Sequence, residues 1–296
     1  MLRLIVITAL IAAGTACSRA EFAYRNADRL LGYYAWKTVA ANSAQRDRWG
    51  PLLETTLQRH REQELPLVIS YLELAAGSVG EPGAGADAAC LVDAAVLLYQ
   101  RHAQLAVELA VPLLTELDAG QISHLAGHTA KRQQDAARRY LDPDLQQRER
   151  SREQRFIERI ENWTGTLNDS QRQQVRDAVG RIPDLSAPWL AYRAQQTDRL
   201  LGMLEAGAEA QTLRDYLTGW WVRMDGQSAE YRQRWQTARQ GFIQLLDALA
   251  ATLTDRQRAT FLDRVGEVRN DLASFVAPEH QQASLAAFPA CEAAPT

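Results

Sequence analysis

Few residues of this chain have types and spacings that suit chemistry. There are five histidines: His60, His102, His124, His128 and His280. His124 and His128 stand four apart, so both imidazoles share one helix face, where a pair can grip a metal. No His-Glu-x-x-His pattern surrounds them and no Cys pair supplies further ligands. The spacing therefore reads as two surface side chains rather than a metal site. His60 lies in the charge-dense "RHREQELP" at 59–66. That stretch reads as an ion-paired helix face, with a binding role as the sharper alternative. Other catalytic patterns are missing. There is no G-x-S-x-G nucleophile elbow, no phosphate-cradling loop, no C-x-x-C-H for haem attachment and no paired Glu-x-x-His of di-iron bundles. "GEPGAGAD" has glycines but no following Lys-Ser/Thr, so it reads as a linker. No catalytic residue, metal ligand or cofactor is assigned, and the chain is expected to be non-enzymatic.

The three cysteines carry more information. "MLRLIVITALIAAGTACS" has one basic residue, Arg3, then an uncharged run from Leu4 to Ala16. A basic start, an apolar centre and small residues before a cut make a signal-peptide layout. The run is shorter than the roughly 20 apolar residues that a membrane span needs. Gly14, Thr15 and Ala16 lead into Cys17, which resembles the bacterial lipobox, where signal peptidase II cuts before a lipid-modified cysteine. Gly14 departs from the usual Leu of that pattern. The expectation is that residues 1–16 are removed and that Cys17 becomes an acylated, palmitate-bearing N-terminus. An ordinary secretory signal with an incidental cysteine is the alternative. Stable anchoring takes two or more acyl chains, which a triacylated cysteine has. Ser18 follows, not the Asp that resembles an inner-membrane retention signal. That favours the outer membrane, with the body facing the periplasm. In such an oxidising compartment Cys90 and Cys291 can pair as a disulfide, or remain as two thiols.

These residues sit on a frame that reads as helix throughout. The 296 residues are 46% hydrophobic and 23% charged, with a net charge of −3. That is enough apolar material for a core, with no basic excess to suggest nucleic acid. Apolar residues recur at threes and fours, as in Leu105, Leu109, Leu113 and Leu117, or Leu245, Leu249 and Leu253. No stretch sustains a period of two. Pro66 should start or kink a helix. The breaks fall at the Gly-rich 77–88, at "LDPD" (141–144), at "IPDLSAP" (182–188) and at "DGQS" (225–228). The fold class is all-α, a multi-helix bundle. Residues 277–296 read as a poorly ordered tail.

One five-residue pattern recurs along that frame. "LTDRQ" at 253–257 has looser copies in "LNDSQ" (167–171), "LDAGQ" (117–121) and "ANSAQ" (41–45). Thr254, Asn168 or Asp118 would cap a helix, accepting one of the backbone N–H groups left without intrahelical partners. Gln257, Gln171 or Gln121, three residues later, would reach back to the cap's own N–H and close a capping box. The copies lie 76 residues apart between Gln45 and Gln121, and 86 apart between Gln171 and Gln257. Each interval holds a helix, a Leu-rich helix, an interruption and a long helix. Two similar helical halves, 17–143 and 144–276, account for this; coincidence among Leu- and Gln-rich helices is the competing account.

"LTDRQ" also resembles the LTxxQ motif of small helical periplasmic proteins, which include ATP-independent chaperones and envelope-stress regulators. "AYRNADRLLGYYAW" (23–36), "RHREQELP" (59–66) and the Trp163 segment before "LNDSQ" resemble a proteobacterial lipoprotein family of uncharacterised function. That family has a fuller LTxxQ where this chain has "ANSAQ". The resemblance implies a helical lipoprotein and transfers no catalytic residue. The aromatic clusters "YYAW" (33–36) and "GWWVRM" (219–224), with the Arg-flanked Trp235 in "YRQRWQTARQ", suit either core packing or a patch for another polypeptide. The reading is a membrane-anchored lipoprotein that binds protein clients or an envelope partner, in a chaperone-like role. The alternatives are a structural scaffold or, further off, a hydrolase assembled from dispersed residues.

Overall fold

The computed structural model describes residues 17–80, 87–280, 288 and 291, with the side chains of 17–20 and 80 left out. Residues 1–16, read as a signal peptide, and most of the C-terminal segment lie outside the described residues. The fold is all-α, with no strand among the described residues.

The first half opens with α1 (Cys17–Arg25) and α2 (Ala27–Val39). α2 stops at Ala40, whose left-handed backbone (φ 51°) turns the next N–H, that of Ala41, back to the Trp36 carbonyl at 3.1 Å. Asn42 then caps α3 (Ser43–Arg59). α3 passes through a widened π turn, His60–Glu64, into α4 (Leu65–Gly80). The widening has a local cause. Pro66 has no N–H to give the preceding turn. The chain instead takes a five-residue step there, with Leu65 N–H bonding the His60 carbonyl. Such π segments often accompany functional sites. Asp87 caps α5 (Ala88–Leu114), and Asp118 caps α6 (Ala119–Tyr140).

The second half repeats the plan. Asp144 caps α7 (Leu145–Thr164) and Asn168 caps α8 (Asp169–Arg181); α9 (Ser186–Glu205) follows. An added piece, α10 (Ala210–Leu217), runs into a second π turn, Thr218–Arg223. Ser228 caps α11 (Ala229–Thr252) and Thr254 caps α12 (Asp255–Ala273).

Corresponding helices make corresponding contacts. α2 packs on α3 and α6 as α7 packs on α8 and α12, and α3 meets α5 as α8 meets α11. The Leu-rich helices are exchanged: α4 lies along α12 of the second half, and α9 along α6 of the first. The cores follow suit. Val39, Trp49, Leu53 and Val107 share one apolar cluster with Leu200, Leu204, Leu213 and Leu217, and Leu72 packs with Val265 and Val268. The chain before the 141–144 loop and the chain after it each complete their core with a helix of the other.

Most of the C-terminal segment read as a loose tail lies outside the described residues, but two of its described positions, 288 and 291, are tied back to α5. Phe288 is 1% exposed, against Ala94 and Leu98. Cys291 is disulfide-bonded to Cys90, with 5.0 Å between Cα atoms.

Candidate functional site

The four glutamines of the recurring pattern meet in pairs. Asn42, Asp118, Asn168 and Thr254 each accept from the backbone N–H of the Gln three residues on, and each Gln closes a full capping box. The amides then reach further. Gln45 Nε2 donates to Gln121 Oε1 (3.0 Å), and Gln121 Nε2 donates back to Gln45 Oε1 (2.7 Å). Gln171 and Gln257 exchange the same two bonds at 3.0 and 2.9 Å. The second hydrogen of each amide goes to a main-chain carbonyl: Glu116, Ala40, Thr252 and Thr166 respectively. Each side chain thus uses two donors and two acceptor sites, its full inventory. All four are buried, at 3%, 7%, 2% and 6% exposed. This arrangement clasps helix starts and leaves no group for a ligand.

The first π turn holds a polar chain that sequence reasoning missed. His60 does not lie on an ion-paired surface face. It is half-buried between Tyr24 of α1 and His102 of α5, with Tyr24 Oη to Nδ1 at 2.9 Å and Nε2 to His102 Nε2 at 3.0 Å. His102 Nδ1 is 2.6 Å from the Leu98 carbonyl, which only accepts, so that nitrogen carries a hydrogen. With both rings neutral the chain has one direction. Tyr24 O–H donates to His60 Nδ1, His60 Nε2–H to His102 Nε2, and His102 Nδ1–H to Leu98. Burial, aided by His102 and the nearby Arg61 cation, lowers the His60 pKa to about 3. Burial pushes Tyr24 up to about 12. Alongside, Glu64 is buried and accepts two bonds from Arg101, at 2.6 and 2.8 Å. Arg59 pairs with Glu108. The cluster links α1, the π turn and α5. It packs α1 onto the body, helped by Phe275, two residues past the end of α12, whose ring lies 4.7 Å from that of Tyr24. Pro66 was the one local signal in sequence; His102, 42 residues from its partner, left none.

A basic, aromatic cleft lies where α2, α3 and α6 meet. Its volume is about 390 Å³, and Tyr33, Trp36, Lys37, Ala40, Arg46 and His124 line it. Each is placed by its element. The stop at Ala40 turns the chain so that α3 returns beside α2. Arg46, next to the clasping Gln45, donates from Nε to the Ala41 carbonyl (2.9 Å) and sets its guanidinium over the Trp36 ring at 5.2 Å. Lys37 Nζ stands 5.8 Å from the Tyr33 ring centre. His124 contacts the Lys37 carbonyl through Nε2 at 3.0 Å. No carboxylate pairs with Lys37 or Arg46 among the described residues. The Trp36 indole Nε1 is buried without a hydrogen-bond partner, an arrangement that costs about 1–3 kcal/mol. One turn deeper, His128 Nε2 is also buried without a partner, and burial followed by Arg132 lowers its pKa. A second, smaller cleft of about 220 Å³ is lined by Leu185, Ser186, Trp189, Tyr231 and Trp235.

The remaining sequence candidates fall elsewhere. Cys17 is the first residue of α1. Cys90 and Cys291 bridge the start of α5 to the C-terminal segment. Of the tryptophans in "GWWVRM", Trp220 and Trp221 pack against the largest core cluster. Among the described residues no group of three or more His, Cys, Asp or Glu could hold a metal ion. No helix of the described residues is long and apolar enough to cross a membrane. A family model described as a family of unknown function (DUF6279) matches residues 37–220, more than half of the chain. No curated protein and no solved structure matches it.

Proposed function

The chain belongs to this family of unknown function, DUF6279, and we propose that it is a lipid-anchored envelope protein that binds acidic polypeptide segments in the α2–α3–α6 cleft. Acylated Cys17 holds it at the membrane, on the periplasmic face of the outer membrane. The role is binding, not catalysis. One observation carries it: two aromatic rings and two cations, Lys37 and Arg46, line an open cleft with no carboxylate to neutralise them among the described residues. Aromatic faces take apolar side chains and cations take carboxylates, so a Glu- or Asp-rich segment bearing an aromatic residue fits best.

The test is fluorescence anisotropy with a labelled peptide that alternates Glu and Phe. The expected result is saturable binding that weakens with salt, drops at least tenfold in the Lys37→Glu/Arg46→Glu variant, and is absent when Lys replaces Glu in the peptide. Equal binding of both peptides, or no change in the variant, would sink the proposal. A second role, as a scaffold, is favoured by the exchanged helices and the two glutamine clasps, which make a stiff body. Retention of one stoichiometric partner without suppression of aggregation of denatured clients would select it over a chaperone.

A further inference from the structure

The outer face of the N-terminal helices is covered by nothing else in the described fold. α1 and α2 run on almost as one helix. Asn26 N–H donates to the Phe22 carbonyl at 3.2 Å, and Leu30 N–H to the Asn26 carbonyl at 3.0 Å. Helical register therefore carries across the joint. At 3.6 residues per turn, Phe22, Asn26, Leu30 and Tyr34 fall on one stripe, flanked by Tyr33 and Lys37. Phe22 is 65% exposed, Leu30 41%, Tyr33 55% and Tyr34 49%. They are four of the eight large hydrophobic side chains exposed among the described residues.

This face cannot roll inward, because the opposite one is taken. Gly32 and Val39 are buried, and Leu31, Ala35 and Trp36 pack on the largest core cluster. Tyr24 is held by His60 and Phe275. An apolar and aromatic stripe edged by Arg25, Arg29 and Lys37 has the composition of a helix lying in a membrane interface.

We propose that this stripe seats in the headgroup–acyl boundary of the bilayer that the Cys17 lipids enter, fixing the orientation of the whole body on the membrane. The seat rests on the lipid-anchor reading. Its occupant follows from the path of the chain. Cys17 lies in α1, and Phe22 follows five residues later, a helical rise of ~7.5 Å. The acyl chains and the stripe thus share one end of the molecule. Tyr33 and Lys37 belong both to the flank of the stripe and to the cleft, so the cleft opens at headgroup level and its partners approach along the membrane.

The full-length acylated protein is reconstituted in phosphatidylethanolamine–phosphatidylglycerol vesicles. It carries an environment-sensitive dye at Leu30→Cys, at Tyr34→Cys or, for comparison, at Leu145→Cys, an exposed position that opens α7. The expected result is a blue shift at positions 30 and 34, and quenching by doxyl-labelled lipid several-fold stronger there than at 145. Mass spectrometry of the N-terminal peptide reads acylation independently. An acylated, vesicle-bound protein whose position 30 is quenched no more than position 145 overturns the seat and leaves the anchor standing. An unacylated Cys17 overturns both.

Discussion

At the residue scale, the side chains that matter most are polar ones placed where water cannot follow. Gln171 makes four bonds while 2% exposed. Gln171→Ala would strand the Asn168 N–H, the Thr252 carbonyl and half of the Gln257 amide. A stranded buried group costs about 1–3 kcal/mol. A loss of roughly 3 kcal/mol or more in urea unfolding is expected, against about 1 kcal/mol for removing a cap alone, as in Thr254→Ala. A loss near 1 kcal/mol for Gln171→Ala would show that the clasp adds nothing to the cap. His60 carries a pH dependence whose sign is set by its environment. Its folded pKa is about 3, below the ordinary 6.5, so the unfolded chain binds the proton more readily between those values. Stability contributed by the neutral ring is complete above about pH 6.5 and is lost as pH falls towards 3. Acid pH acts on other groups of the fold as well. The comparison is therefore between the melting profiles of the wild type and His60→Gln, and the wild type should fall more steeply from pH 6.5 to 4. Parallel profiles would mean that His60 is not held neutral.

At the element scale, helix starts were the most legible feature. Thr254–Gln257, Asn168–Gln171 and Asp118–Gln121 satisfy local rules that act over four residues, and the loosest copy, Asn42–Gln45, closes the same box. The π turn was only half visible: Pro66 forbids an ordinary helical bond, but whether the chain kinks, stops or widens depends on what packs around it. The C-terminal segment lacks a periodic apolar face, so no local pattern marked its contact with α5. One aromatic residue, Phe288, and one cysteine are enough to tie it to α5. Cys291→Ser opens a loop spanning 201 residues. Loss of such a bridge typically costs 2–5 kcal/mol, roughly, so a drop in that range is expected in non-reducing denaturant titrations. No change would mean that the tie contributes nothing to the folded body.

At the scale of the whole molecule, the exchange of α4 and α9 between the halves governs behaviour. Each Leu-rich helix buries its apolar face on the last helix of the other half, so neither half can keep a complete core alone. Calorimetry should show one cooperative transition. Fragments 17–143 and 144–276 should each be largely unfolded and should regain helical circular dichroism when mixed. Two separate transitions, or a stably folded lone fragment, would contradict the intertwined fold. The same scale holds the cleft. Tyr33 and Trp36 stood out in sequence as part of an aromatic run, with Lys37 next to it on α2, whereas Arg46 and His124 join them only because α3 and α6 return to α2.

The sequence by itself determined the features that depend on near neighbours: helical periodicity, the caps and the breaks. These are set within a few residues or by composition, and no distant contact is needed to read them. Tertiary structure alone decided which glutamines meet, which helix each half lends the other, that His60 faces His102 rather than solvent, and that two cations and two aromatic rings share one cleft. Those outcomes join residues tens of positions apart. They follow from how apolar faces find cover, and no local pattern records the partner each face will take.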